Sequence, residues 1–218
     1  MRHAIARLVI ALCVLMGPSP PSWGANTNDA TIGVLAATPD EFALLLRLSH
    51  ALDHENGMRI LPMAGKGPVQ TLTDLLSLKG VDAALVSSDT LAFMEHNGLL
   101  ENFGGKIAFV VRLSTLDIHV LARSGIDTLA DLDGKIVATG PAASGSYVAG
   151  QLLLGAAGLS VRTIEASGAI AVRAVTEGKA DAAILLGRKP LAELKAAQSS
   201  GGLHLIDVAA PEALQEAY

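Results

Sequence analysis

The sequence predicts an α/β fold built as two lobes that face each other across a cleft. Three strand–helix alternations occur within about 70 residues after Thr31, and such alternation implies parallel strands joined by right-handed crossovers. A second block with the same order of elements begins near Ile118, after a junction at residues 112–118, and two such blocks in one chain predict two lobes. At 218 residues the chain is long enough for either one large domain or two small lobes to bury a core.

In the first block, Thr31–Leu35 reads as a short strand. Pro39, Asp40 and Glu41 then open an apolar helix to about His54, placing Pro and acids in the first turn, where unpaired N–H groups and the helix dipole favour them. Arg59–Met63 is a second strand, and the turn Gly65-Lys66-Gly67-Pro68 leads into a helix over Val69–Leu78. Gly80 stops that helix, Asp82–Val86 is a buried strand, and Ser87-Ser88-Asp89 caps a helix over Thr90–Asn97. Ile107–Val111 and Ile118–Ala122 are two further strands.

The second block runs through a helical turn at Asp127–Leu132, strand Ile136–Ala138, a Gly/Ser loop and a helix over Tyr147–Ala157 that Gly158 terminates. Strand Val161–Ile164, helix Ala169–Glu177, strand Ala182–Leu186, helix Pro190–Gln198 and strand Leu203–Ile206 complete it. The expected division is a leader at 1–24, lobe 1 at 25–113, lobe 2 at 114–202, and an incomplete return to lobe 1 at 203–218.

The leader assignment rests on the order of residue types. Arg2 and Arg7 flank a basic start, Leu8–Met16 is almost wholly apolar, Gly17-Pro18-Ser19-Pro20-Pro21 ends any helix, and small residues surround Gly24 and Ala25. That is the pattern of a secretory signal peptide. About ten apolar residues rise only ~15 Å as a helix, half of what a bilayer core requires, which disfavours an anchor. Export would leave a cysteine-free, periplasmic chain, since Cys13 lies within the leader.

Composition removes several function classes. Half of the residues are apolar, which excludes disorder, and one Cys excludes a disulfide scaffold. The charge is −5, there is no Lys/Arg-rich run, and only 3% of residues are aromatic, so nucleic acid is not an expected partner. No G-x-S-x-G elbow, H-E-x-x-H pair or phosphate-binding G-x-x-x-x-G-K-[ST] motif occurs. His50 and His54 share a helix face beside Asp53 and Glu55, but without a third ligand they read as a polar helix end. His119, inside an apolar strand, reads as a packed, hydrogen-bonded histidine. No cofactor, metal or catalytic residue is expected.

The informative segment is Thr139-Gly140-Pro141-Ala142-Ala143-Ser144-Gly145-Ser146, between a strand and a helix. Glycine permits close backbone approach, serine hydroxyls hydrogen-bond, and N–H groups at a helix start attract anions. An ordinary capped turn has the same composition. Gly65-Lys66-Gly67 and Ser87-Ser88-Asp89 occupy matching strand ends in the first block, and ligands of open α/β sheets bind outside such ends. Lys66, Arg112, Arg123 and Arg188 stand near these turns and could pair a carboxylate.

These segments carry a resemblance. Ile60–Met63 through Gly65–Gln70, Leu78–Asp82 through Val86–Asp89, Ile118–Arg123, Ile126 through Asp131–Lys135, Ser144–Ser146 and Gly178–Ala183 run in register over about Thr31–Val208. In this pattern the chain resembles the TAXI (TRAP-associated extracytoplasmic immunogenic) solute receptors of tripartite ATP-independent periplasmic (TRAP) transporters. The resemblance implies a periplasmic binding protein type 2-like fold, two lobes with parallel-dominated sheets flanked by helices. It also implies a monomeric receptor that closes on a small organic anion, a carboxylate, amino acid or keto acid, and delivers it to TRAP membrane subunits. By position, Lys66, Gly67, Ser87, Ser88, Ser144, Gly145 and Ser146 would face the ligand. Two departures stand out. Ala36–Phe42 replaces the Gly-rich, Tyr-bearing turn after the first strand and brings the acidic pair Asp40 and Glu41, which would repel an anion. The chain also reaches Tyr218 where family members continue for several tens of residues.

Overall fold

The computed structural model describes residues 30–53, 57–100, 105–198 and 201–208. The leader, His54, Glu55 and residues 209–218 lie outside them.

The first lobe is a three-stranded parallel sheet in the order β2-β1-β3, with β1 Ala30–Ala36, β2 Met58–Ala64 and β3 Ala83–Leu85. Ala30 pairs with Met58 and the register continues to Ala36 against Ala64, while Val34–Ala36 pair with Ala83–Leu85. Helices α1 (Pro39–Leu52), α2 (Pro68–Ser77) and α3 (Ser88–His96) follow the strands. The apolar side chains of β1 meet Leu45 of α1, and Val34, Ala36 and Leu45 form a small core lined by Ile32, Phe42, Ile60, Ala83 and Leu85.

The second lobe is larger. Its sheet has the order β6-β5-β7-β4-β8, with β4 Asp117–Arg123, β5 Ile136–Ala138, β6 Arg162–Ile164, β7 Ala182–Gly187 and β8 Leu203–Ile206. Strand β5 is parallel to β6 and β7, whereas β4 is antiparallel to β7 and β8. A 3-10 turn at Leu129–Leu132 and helices α4 (Gly145–Ala156), α5 (Gly168–Thr176) and α6 (Ala192–Gln198) connect them. Two buried clusters sandwich this sheet, one around Leu132, Leu153 and Ile184, the other around Ala171, Val175 and Leu185. The α/β expectation, with parallel pairing dominant and helices flanking the sheets, is met.

The two lobes share a clamp. Asp82, just before β3, accepts a hydrogen bond from the Gly33 N–H at 2.8 Å and returns its own N–H to the Gly33 carbonyl at 2.8 Å. Asp181, just before β7, does the same with Ile136, at 2.8 and 2.7 Å. Each clamp fixes the entry of a third strand beside the first, so β1, β2 and β3 correspond to β5, β6 and β7. At Gly33 the fit is close enough that a Cβ would sit 1.9 Å from the Gly80 carbonyl oxygen, so only glycine can occupy the position without moving backbone.

Two expectations are corrected. Ile107–Val111 forms no strand: residues 107–116 pair with no described strand, and Phe109 and Val110 are 82% and 83% exposed. The sequence is strand-like, but a strand exists only where a neighbour accepts its N–H and C=O groups. The strand Leu203–Ile206 does not return to the first lobe, because it pairs antiparallel with β4 over Val120–Arg123, with Ile206 buried at the end of that ladder.

Candidate functional site

The candidate residues stand on three turns at the carboxyl ends of strands. After β2, Gly67 takes φ 104° as the N-cap of α2, where Pro68 fills the first helical position and no side chain caps the exposed N–H groups. Lys66 beside it is exposed and joins no ion pair among the described residues. After β3, Ser87 is the N-cap of α3, its Oγ 3.0 Å from Thr90 Oγ1 in a hydroxyl–hydroxyl bond, and Ser88 begins the helix and is exposed. Asp89, in the first turn of α3, is buried, and burial raises its carboxyl above the usual range.

After β5, the turn is strained. Gly140 takes φ 83°, and Ala143, at φ 63°, is the one non-glycine residue with positive φ among the described residues. An alanine in this region costs on the order of 1 kcal/mol or more and persists because the surroundings hold it there. Ser144 is the N-cap of α4, its Oγ accepting from the Tyr147 N–H at 3.2 Å and its N–H donating to the Pro141 carbonyl at 3.0 Å. Ser146 Oγ accepts from the Leu186 N–H at 3.1 Å, joining the start of α4 to the end of β7, and Gly145 lies against Leu186.

The structure brings two of these turns together across the lobes. The position a Cβ would take on Gly67 lies 3.2 Å from the Ala143 carbonyl oxygen. Behind that approach α3 packs on α4, and Phe93 meets Tyr147 edge to face, with ring centroids 6.3 Å apart. Lys66, Gly67, Ser144 and the uncapped start of α2 therefore border one interlobe junction. Ser87 and Ser88 stand at the start of α3, the helix whose Phe93 meets Tyr147 of α4. The serine hydroxyls of the α4 start are already engaged as acceptors from backbone N–H groups. Thr139, buried beneath the same turn, and Thr71 in the first turns of α2 have Oγ1 atoms without a hydrogen-bond partner among the described residues.

Of the acidic pair after β1, Asp40 is exposed and Glu41 is engaged. Glu41 turns back onto its own helix start, its Oε2 accepting from the Ala37 and Thr38 N–H groups at 3.0 Å each while Thr38 Oγ1 accepts from the Glu41 N–H at 3.2 Å. This capping box satisfies the start of α1 internally. Burial raises the Glu41 carboxyl above its ordinary value despite these bonds.

His119 is buried in β4, and burial lowers its pKa, with Lys189 adding to the effect and Asp117 opposing it. Its Nε2 has no hydrogen-bond partner among the described residues. Asp117 and Lys189 pair at 3.3 Å. Among the described residues no group of three His, Cys, Asp or Glu side chains could hold a metal, and no helix is long and apolar enough to cross a membrane. A separate apolar hollow of about 190 Å³, lined by Leu121, Leu194, Ala197, Leu203, His204 and Leu205, lies on the second lobe away from these turns.

A family model described as NMT1-like matches residues 42–217, most of the chain and both lobes. The chain belongs to the NMT1-like family. In three dimensions this NMT1-like protein is similar to the periplasmic aliphatic sulphonate binding protein SsuA of Escherichia coli, at 19% identity and TM-score 0.54, covering 81% of this chain and 60% of that one. It is also similar to the alkanesulfonate-binding protein SsuA of Xanthomonas axonopodis pv. citri bound to MOPS, at 20% identity and TM-score 0.53, covering 86% and 63%. A periplasmic sulfonate-binding protein SsuA of an ABC transporter from Methylobacillus flagellatus matches at 14% identity and TM-score 0.56, covering 83% and 56%. The fold is similar to that of periplasmic solute-binding proteins. The chain spans about 60% of the length of these structures.

Proposed function

We propose that this NMT1-like protein is an extracytoplasmic solute-binding receptor that captures a small organic anion between its lobes and passes it to the membrane subunits of a transporter. The observation that carries this reading is the meeting of Gly67 with Ala143, which sets the uncapped start of α2 and the exposed Lys66 against a strained turn of the other lobe. Helix starts and an ammonium group favour a carboxylate or sulfonate. Glu41 directs its carboxylate onto the Ala37 and Thr38 N–H groups of its own helix start. Lys66, Gly67, Ser87, Ser88, Ser144, Gly145 and Ser146 are the proposed ligand-facing set. The serines would act through their hydroxyl protons, since their lone pairs already receive backbone donors at Ser144 and Ser146. The same engagement argues against either serine as a nucleophile.

The resemblance to TAXI receptors favours a TRAP-type partner and a carboxylate, an amino acid or a keto acid as cargo; the sulfonate-binding structures add sulfonates to the classes worth testing. Periplasmic location follows in this reading from the leader at residues 1–24. Thermal-shift and calorimetric titration against dicarboxylates, amino acids, keto acids and alkanesulfonates tests it. A cognate anion at a hundredfold its Kd stabilises the protein by about 2.7 kcal/mol, and Lys66→Ala weakens that binding about tenfold while flattening its salt dependence. No shift with any anion at millimolar concentration rejects the receptor. The exposed run Phe109–Val111 favours a second reading, a family member whose role is interaction with another polypeptide.

A further inference from the structure

The correspondence of β1, β2 and β3 with β5, β6 and β7 also aligns the helices that follow the second strand of each unit. Three residues separate β2 from α2, and three separate β6 from α5, so Gly67 corresponds to Ser167 and Thr71 to Ala171. The backbone agrees: the Thr71 N–H donates to the Gly67 carbonyl at 2.9 Å, and the Ala171 N–H to the Ser167 carbonyl at 3.3 Å. Both residues are fully buried. In the second lobe a methyl group alone fills this place, whereas in the first lobe it holds a hydroxyl with no hydrogen-bond partner among the described residues. Burying an unpaired hydroxyl costs stability, and the packing of the other lobe shows that the position does not require one. The hydroxyl is aimed at the start of α2. Helical side chains lean toward the N-terminus, and Thr71 lies one turn beyond Gly67 on the same face. Its Oγ1 is 2.1 Å from the point a Cβ would take on Gly65, two residues ahead of the N-cap, so only glycine leaves room for it. That helix start has no side-chain cap, and the exposed Lys66 stands beside it. These residues lie well inside the described stretch 57–100, and Oγ1 is enclosed rather than left open at a surface.

We propose that Thr71 is a ligand-binding residue of the receptor, its hydroxyl donating a hydrogen bond to an oxygen of the carboxylate or sulfonate group that the start of α2 and Lys66 attract. The proposal rests on the receptor reading and adds to it a residue outside the set named above. An ionised oxyanion only accepts hydrogen bonds, so the hydroxyl proton, the N–H groups of the helix start and the ammonium group of Lys66 all suit the same partner. The turn over Oγ1 carries glycine on both sides of Lys66, and the ligand reaches the hydroxyl through a backbone shift at Gly65. The stability lost to an unpaired hydroxyl in the free protein is recovered when the anion binds.

The test compares the full chain with Thr71→Val, which replaces the hydroxyl by a methyl group of the same shape, and Thr71→Ser, which keeps the hydroxyl. Each protein is titrated calorimetrically with succinate, alanine, pyruvate and ethanesulfonate, and its thermal unfolding is followed without ligand. Without ligand, Thr71→Val is expected to raise Tm by about 2–4 °C, because the unpaired hydroxyl is gone. For the probe that the parent binds, Thr71→Val raises Kd about tenfold, and Thr71→Ser stays within about threefold of the parent. The salt dependence of binding in Thr71→Val matches the parent, since no charge is removed, which separates its role from that of Lys66. Parent-like affinity in Thr71→Val overturns the role of Thr71 and leaves the receptor reading standing. A lower ligand-free Tm in Thr71→Val shows that the hydroxyl serves the fold and also overturns it. A parent that binds none of the four probes counts against the receptor reading and this proposal together.

Discussion

Replacing Asp181 with alanine removes the clamp that holds β7 against β5. Its carboxylate receives the Ile136 N–H at 2.8 Å and pairs with the Arg123 guanidinium, and its own backbone bonds Ile136 and Arg123. Only the side-chain contacts are lost. Leaving the half-buried Ile136 N–H without its acceptor costs about 1–3 kcal/mol. The ion pair, with Arg123 48% and Asp181 14% exposed, adds about 0.5 kcal/mol after allowance for solvent screening. The expected loss is about 2–3 kcal/mol, which for a chain of this size lowers Tm by about 5–10 °C. Urea denaturation with matched m-values, together with calorimetry, measures it. Asp181→Asn keeps an oxygen acceptor and is expected to lose less than about 1 kcal/mol. Asp82 joins no ion pair among the described residues, and Asp82→Ala is expected to fall between the two. An Asp181→Ala protein within about 0.5 kcal/mol of the parent would refute the idea that the carboxylate, not backbone pairing alone, sets the entry of the third strand.

Two further perturbations probe other parts of the fold. Gly33→Ala drives a Cβ to within 1.9 Å of the Gly80 carbonyl oxygen, so β1 and the turn before β3 must separate; the expected cost is about 3 kcal/mol, read as reduced soluble yield and a lowered denaturation midpoint. For His119 the sign is set by burial, which lowers the folded pKa below 6.5. The unfolded chain therefore binds the proton more readily, and stability is full above pH 6.5 and declines as pH falls through the folded value. His119→Gln is expected to flatten that part of the acid limb of a Tm-against-pH curve, and an unchanged slope there would remove His119 as its cause.

Much of the fold was legible because local chemistry decides it. Pro39, Asp40 and Glu41 announce the start of α1, and the capped turn that the composition of Thr139–Ser146 also allowed is present, with Ser144 as its cap. What the sequence left open depends on partners distant in the chain. Ile107–Val111 has the β-branched, apolar composition of a strand, yet nothing local says whether a neighbour will lie beside it. Leu203–Ile206 is a strand as read, but its membership in the second sheet is fixed by contact with Val120–Arg123, some 80 residues earlier. At the candidate site the turns are visible as Gly/Ser composition, whereas the engagement of Ser146 with the Leu186 N–H is a contact over 40 positions that composition cannot encode. The aspartate clamps were missed although a signal existed: Lys79-Gly80-Val81-Asp82-Ala83-Ala84 and Gly178-Lys179-Ala180-Asp181-Ala182-Ala183 place an Asp-Ala-Ala after a Gly-containing stop in both blocks.

The chain carries one tryptophan, Trp23, within the stretch read as a leader, and two tyrosines, of which Tyr147 lies among the described residues and Tyr218 beyond them. Tyr147 is the residue that touches Phe93 where α4 meets α3. In the proposed receptor, with residues 1–24 removed, the protein would have a native fluorophore at the seam between its halves and no indole to mask it. Separation of the halves in that receptor would expose the phenol to water, so its share of the ultraviolet emission, the rest coming from Tyr218, would report opening and closing without any label, and a Phe93→Leu protein calibrates how much of the signal arises at that contact.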